Sequence, residues 1–434
     1  MKRTPKRILW LAAAAAVSLH AATMHELFEA LKRHPATQAD AMQAKAAELS
    51  AQRVKDAFYP SVSLFATYEH YSAPTNLRPM SPVESGEILA GRKSGPLPFA
   101  TTIERLGGKL SMPIFAKELF SLSDKAQSMA RSAAVKKRLN VLRNEALLLG
   151  SDASWRYLES LEAALKARRK SIGKMLEDMR IKVESGRAPG VALDKMEDSI
   201  NRIDITLNDI GIKKAQTKSR IEALTGMRLE RAVPLAEKRV VETKELFAAK
   251  PLEFLVEAKS HAIDAAYAKL YPKVGLSAMW SENYGQSAVN FPNTDNDDVH
   301  RSYGNYMVGI TMPLFEKGNY TDIERSRIDL QKEKFRLAQT KQELEATATE
   351  LKTSRKLYER SIELAKKSVK NRESLLRYAK VAFDTGRLSE EEYLRYEEGL
   401  LEAQSKLYEA KAKRWQATAQ LAVIYGNDLD EIVE

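Results

Sequence analysis

The sequence predicts an α+β membrane protein in which four strands belong to a β-barrel that long coiled-coil helices continue, the whole written as a twofold internal repeat. Three observations predict it. Landmarks recur at one offset of 200 residues: Met112-Pro113 with Met312-Pro313, Gly186-Arg187 with Gly386-Arg387, and Gly226 with Gly426. Four segments alternate apolar and polar residues with a period of two, the mark of a strand with one apolar face. The stretches between them carry apolar residues at 3-4 spacing, the seam of packed helices. A long unit copied at constant length is how an elongated, symmetrical architecture is encoded.

Residues 1–22 read as a secretory signal peptide. Lys2, Arg3, Lys6 and Arg7 precede a twelve-residue apolar run, Ile8 to Leu19, with small residues around Ser18 to Ala22. That run is short of the ~20 residues a membrane span needs. Its removal lowers the formal charge from +11 to +7. The remaining basic residues alternate with acids along helical stretches, which marks solvated helix faces and not a nucleic-acid surface. There is no cysteine, so neither a disulfide framework nor a lipidated cysteine is expected. At 44% hydrophobic and 29% charged, the chain is too polar for a bundle of membrane helices.

The first repeat is expected over 23–226. A helix from Met24 to Phe58 should stop at Tyr59-Pro60. Val62, Leu64, Ala66 and Tyr68 then alternate with Ser61, Ser63, Phe65 and Thr67, a strand over about 61–72. A loop from Ala73 to Thr101 with five prolines leads to a second strand over about 103–112, ending at Pro113. A long helix should occupy about 116–185 and a return helix about 190–225. Residues 227–250 read as a linker. The second repeat, 251–426, reproduces this order: a helix to Tyr271-Pro272, strands near 273–284 and 302–312, a long helix near 316–385 and a return helix near 389–425, before a tail over 427–434. The junctions carry Pro60, Pro113, Pro272 and Pro313, because proline ends helices and is tolerated at strand termini.

The return helices show the seam most plainly. Leu193, Met196, Ile200, Ile203, Leu207 and Ile210 continue at Thr217, Ile221 and Leu224; Tyr393, Tyr396, Leu400, Ala403, Leu407 and Ala410 continue at Ala417, Leu421 and Ile424. As continuous helix, Pro113 to Gly186 would run about 110 Å at ~1.5 Å per residue. Two part-length helices would stack to match it.

An exported chain without a spanning helix crosses a membrane only as a closed barrel. Four strands do not close, so the barrel must be shared between chains. Two copies supply eight strands with a filled interior; three supply twelve and leave a lumen.

The chain resembles the TolC family of outer-membrane efflux channels over nearly its whole mature length. The resemblance is carried by the two Tyr-Pro junctions, by Met-Pro-Ile-Phe and Met-Pro-Leu-Phe after the strands, by the glycine turns at Gly186 and Gly386, and by return helices ending at Leu224-Thr225-Gly226 and Ile424-Tyr425-Gly426. It implies a homotrimer whose twelve-stranded barrel sits in the outer membrane and continues into a periplasmic tunnel of twelve helices. It further implies passive conduction in a tripartite efflux pump or type I secretion system. The partners would be a periplasmic adaptor (membrane fusion) protein and an inner-membrane RND, ABC or MFS transporter. The competing reading is a periplasmic coiled-coil adaptor or scaffold. Such proteins carry one hairpin between compact β domains and would not show four amphipathic strands.

By the same resemblance, adaptors dock around Gly186, Arg187, Gly386 and Arg387, although glycine with a basic neighbour also ends helices for local reasons. Acids six and nine residues beyond the turn glycine form an aperture ring in such channels. Here those positions are Glu392 and Arg395, and the first tip has Ala192 at its sixth position. Tyr68, Trp280, Tyr284 and Tyr306, with Tyr59, Tyr71, Tyr271 and Tyr303, are expected in aromatic girdles, and the barrel exterior is expected to meet outer-membrane lipid.

No enzyme, cofactor or metal is expected. The histidines (20, 25, 34, 70, 261 and 300) have no ligand-like spacing. Asp295, Asp297 and Asp298 hint at a calcium loop, but His300 stands where that loop requires glycine.

Overall fold

The computed structural model describes residues 23–91, 96–187, 189–243, 245–287 and 297–434. The expected signal peptide and Asp295 lie outside them. The described chain divides into two compact units, one of residues 23–39, 139–248 and 344–434, the other of 40–138 and 249–343.

The second unit holds the sheet. Strands β1 (Ser61–Asn76), β2 (Phe99–Phe115), β3 (Lys273–Gln286) and β4 (Asp298–Thr311) form one antiparallel sheet in the order β1-β2-β3-β4. Each of the four expected strands is present, and β1 and β2 run several residues further than the alternation alone indicates. Pro113 does not end its strand. It lies inside β2, where the register shifts between Pro113 and Phe115, and that irregularity accommodates its missing N–H. Pro313 does follow β4, and Pro60 and Pro272 each occupy the gap between a helix and the strand after it.

The loop expected over 73–101 is partly ordered. It contains a short helix, α3 (Pro82–Leu89), whose start is fixed by Ser81 accepting the Glu84 N–H, with proline in the first turn. The helix expected from Met24 to Phe58 is two. α1 (Met24–Arg33) opens on a capping box between Thr23 and Glu26, and its C-cap His34 is extended, as the residue before a proline prefers. α2 (Pro35–Asp56) restarts at Pro35.

Two helices of 68 residues follow the sheet hairpins, α4 (Lys117–Glu184) and α7 (Lys317–Asp384). Their return helices are α5 (Val191–Thr225) and α8 (Glu390–Tyr425). Along α5 the apolar seam is buried at Ile203, Ile210 and Ile221, whereas Ile205 and Ile212, off the seam, are exposed. α6 (Lys250–Ala268) starts where the linker was expected to end, directly after a 3₁₀ turn at Phe247–Ala249.

The main core lies in the first unit. Met24, Leu27, Phe28 and Leu31 of α1 pack with Leu148, Leu149 and Trp155 of α4, with Trp415 and Leu421 of α8, and with the chain's last residues. The expected tail is therefore structural. α9 (Leu429–Ile432) buries Leu429 and Ile432, and Glu434 exchanges backbone hydrogen bonds with Ala236 at 3.0 and 3.2 Å. The expected linker and tail are thus joined by strand-like pairing. Glu237 anchors it with ion pairs to Arg355 at 3.4 Å and to Arg414.

Candidate functional site: strand sheet and helix tips

Opposed residues in an antiparallel sheet share a face, so the register sorts the strand side chains into two sets. One set contains Val62, Leu64, Ala66 and Tyr68 of β1, Leu106, Leu110 and Met112 of β2, Leu276, Ala278 and Trp280 of β3, and Tyr306, Val308 and Ile310 of β4. Most of its large members are bare, with Leu64 86% and Tyr306 84% exposed, and Leu110, Met112 and Leu276 are half-exposed. The other set is mostly small or polar, with Ser61, Ser63, Lys109, Ser111, Ser277, Ser281, Asn283 and Asn305, and includes Phe65, Ile103, Met279, Tyr303 and Met307. An exposed apolar face backed by a polar one inverts the usual soluble pattern and matches a strand standing between lipid and water. The strands, 14 to 17 residues long, exceed the ~9–11 residues a spanning strand needs.

Of the expected girdle residues, Tyr68, Trp280, Tyr284 and Tyr306 fall on the apolar face, at different heights, whereas Tyr303 falls on the other face, in the row of Phe65, Gly107 and Ser281. Tyr68 and Tyr284 share a register row through Glu104, and Tyr284 stacks on His300 with ring centroids 4.6 Å apart. Trp280 and Tyr306 lie further down, within the apolar band, opposite Gly304 and Ala278 respectively. Alternation fixes the face of an aromatic residue but not its level. At the other end of the strands, Tyr59 and Tyr271 are exposed beside Pro60 and Pro272, and Lys117 caps the Tyr271 ring at 3.7 Å.

The two helix tips belong to the first unit. Gly186 and Gly386 adopt φ of 72° and 71°, the left-handed conformation that closes a helix. Behind each, an arginine backbone N–H reaches back to a carbonyl of the last helical turn, Arg187 to Lys182 at 2.7 Å and Arg387 to Ala382 at 2.8 Å, and each carbonyl also accepts a hydroxyl, from Ser185 and Thr385, at 3.1 Å. This double closure leaves both arginine side chains exposed.

The tips differ on their return side. α8 begins with a complete capping box: the Glu392 N–H donates to Ser389 Oγ at 3.2 Å, and the Glu392 carboxylate accepts from the Ser389 N–H at 3.0 Å. Those bonds to Ser389 hold the Glu392 carboxyl below the usual range. α5 begins at Gly190 without a side-chain cap. Arg395, the other expected aperture residue, pairs with Glu391 at 2.6 Å and touches Met175 Sδ at 3.7 Å. The structure therefore gives Glu392 and Arg395 separate local partners and does not pair them with each other. The signal for the cap was present in the sequence as Ser389-x-x-Glu392.

Sequence reasoning also missed two buried acids. Glu145 and Asp152 of α4 are 1% and 0% exposed, each with one carboxylate oxygen lacking a hydrogen-bond partner. Burial pushes Glu145 up to about 7, reinforced by Asp428 and opposed by Lys32. Burial also pushes Asp152 up to about 7, although the Val233 N–H donates to it at 2.9 Å. Both raised values mean that the folded state holds protons the unfolded chain has released. Stability should therefore fall as pH rises from the ordinary carboxyl range to about 7. Glu145→Gln, which stays neutral, is expected to melt near wild type at pH 4.5. At pH 8 it should be more stable by on the order of 2 kcal/mol. Detergent-solubilised thermal melts at both pH values test this; an offset unchanged with pH would contradict it.

Among the described residues, no group of histidine and carboxylate side chains has the geometry of a metal site, and no helix is long and apolar enough to cross a membrane.

Comparison with known proteins agrees with this geometry. Residues 250–427 match the sequence model of a family described as outer membrane efflux protein. The fold is similar to the outer membrane protein VceC of Vibrio cholerae, with a TM-score of 0.68 at 15% identity over 93% of this chain and 97% of that one. It is also similar to the CmeC outer membrane channel of Campylobacter jejuni (TM-score 0.70, 14% identity, 93% and 85% covered). The MtrE outer membrane channel of Neisseria gonorrhoeae gives a TM-score of 0.66 at 14% identity, with 93% and 88% covered. A search of curated proteins finds no match.

Proposed function

We propose, from the match of residues 250–427 to the outer membrane efflux protein family, that this chain is the exit duct of a tripartite efflux pump or type I secretion system. It would act as a homotrimer. The observation that carries this reading is the sheet order: β1 and β4 are terminal strands, each with one unpaired edge, on a sheet whose apolar face is bare. Open edges and lipid are incompatible, so each β1 would pair with β4 of the next copy until the barrel closes. Three copies give twelve strands and a water-filled interior.

Two further features support the reading. Ile328 and Phe335, and further along α7 Leu357, Leu364 and Leu375, are exposed at near-heptad spacing, a stripe suited to a neighbouring helix. The paired lengths of α4 and α7, offset by 200 residues, support the internal repeat and a pseudo-symmetric wall. The tips at Gly186-Arg187 and Gly386-Arg387 would meet a periplasmic adaptor, with an RND, ABC or MFS transporter supplying the energy at the inner membrane. Conduction itself would be passive.

Purified protein added to planar lipid bilayers is expected to insert and conduct ions in discrete steps. Protein that washes from membranes and never conducts would instead favour a periplasmic adaptor.

A further inference from the structure

We propose that the barrel wall prefers anionic solutes, with Lys109 as the residue that sets the preference. The inference rests on the exit-duct reading, because it takes the polar face of the sheet as the lumen.

That face carries an uneven set of charges. Its strand cations are Arg105, Lys109, Lys273 and Arg301, and its strand carboxylate is Glu69. Glu69 is taken: Arg105 Nε donates to both of its oxygens at 3.2 and 3.1 Å. Lys273 is taken as well, by Glu118 at 2.6 Å. Among the described residues, Arg301 donates to carbonyl oxygens, those of His300 at 2.8 Å and Pro96 at 3.5 Å, and has no carboxylate partner. Lys109 is exposed and has no ion pair or hydrogen bond among the described residues.

The register row of Lys109 is Ser63, Lys109, Met279 and Asn305. The rows on either side are Phe65, Gly107, Ser281 and Tyr303, and Ser61, Ser111, Ser277 and Met307. No carboxylate stands in these three rows. The acids nearest in the sheet, Glu104 and Glu282, belong to the opposite, apolar-side face, where Glu282 is engaged by Ser302 at 2.8 and 2.9 Å. Lys109 thus projects an uncompensated charge from the middle of the polar wall. Arg301 adds a second nearer the strand ends. Three copies would supply rings of lysine and arginine, the arrangement that selects anions and phosphate-like solutes in pores. Cargo bearing carboxylate, phosphate or sulfonate groups would be drawn in, and cations excluded, by a field focused between low-dielectric walls.

Reversal potentials in planar bilayers under a KCl gradient test this. Wild type is expected to pass chloride in preference to potassium. Lys109→Glu should reverse the preference, moving the permeability ratio at least about threefold, and Lys109→Gln should lie between. The effect should shrink in 1 M salt, where the screening length is ~3 Å. Conducting channels that prefer potassium, or whose ratio is unmoved by Lys109→Glu, would overturn the inference and leave the duct reading intact. Absence of conductance in wild type and every variant would instead overturn the duct reading.

Discussion

Leu276→Arg is expected to abolish assembly in the outer membrane, while Ser277→Arg, one residue away, is expected to leave it intact. Leu276 lies between Met112 and Val308 in the register, within the apolar band and next to the row of Val62, Leu110, Ala278 and Tyr306. An arginine at mid-membrane depth on the lipid face costs ~2–4 kcal/mol, and a trimer incurs it three times. Ser277 is on the other face, between Ser111 and Met307, where an arginine would meet water. Period-two alternation turns adjacent positions into opposite environments, so the pair controls for charge, size and strand position together. Heat-modifiable oligomer in outer-membrane fractions is the readout. Equal loss in both variants, or in neither, would mean that the apolar face does not meet lipid.

Gly426→Ala should be among the most damaging small substitutions in the chain, and Gly226→Ala much milder. Both glycines end a return helix with positive φ, 74° and 72°, so each alanine carries a left-handed strain of ~1–2 kcal/mol. They differ in their surroundings. A Cβ at Gly426 would lie 2.4 Å from Phe247 Cγ, whereas at Gly226 the nearest atom is His34 Cδ2 at 4.0 Å. Phe247 stands at the start of the 3₁₀ turn before α6 and cannot yield without displacing it. Overpacking of this kind adds ~1–3 kcal/mol. The Gly426 variant should show a clear loss of thermal stability and of folded yield, and the Gly226 variant a small shift in melting temperature. Comparable melts for the two variants would show that backbone strain alone decides the cost.

The parts legible in the sequence are those encoded locally. Alternation at Val62–Tyr68 and Val274–Trp280 announces strands, and Tyr59-Pro60 and Tyr271-Pro272 announce the helix stops before them. Gly186 and Gly386 sit where a helix must end in a left-handed residue. What stayed hidden depends on partners far away in the chain. Nothing near Glu237 reveals its bridge to Val433, and nothing in the tail reveals that Leu429 and Ile432 enter the core. Glu145 and Asp152 look like ordinary acids on a charged helix until the packing buries them. For Glu392 the capping-box spacing was legible, and the structure uses it as a cap. Lys109 reads as one polar member of an alternating strand; its isolation emerges only when the neighbouring strands are in register.

The central claim is that four strands from one chain close a wall only with copies of themselves. Paired cysteines, one from Val62, Leu64 or Ala66 on β1 and one from Tyr306, Val308 or Ile310 on β4, can be introduced into a chain that has no cysteine of its own. Oxidation of these variants in outer membranes should produce covalent species that stop at three chains. Cross-links confined to a single chain, ending at two, or continuing into an open ladder would contradict the account.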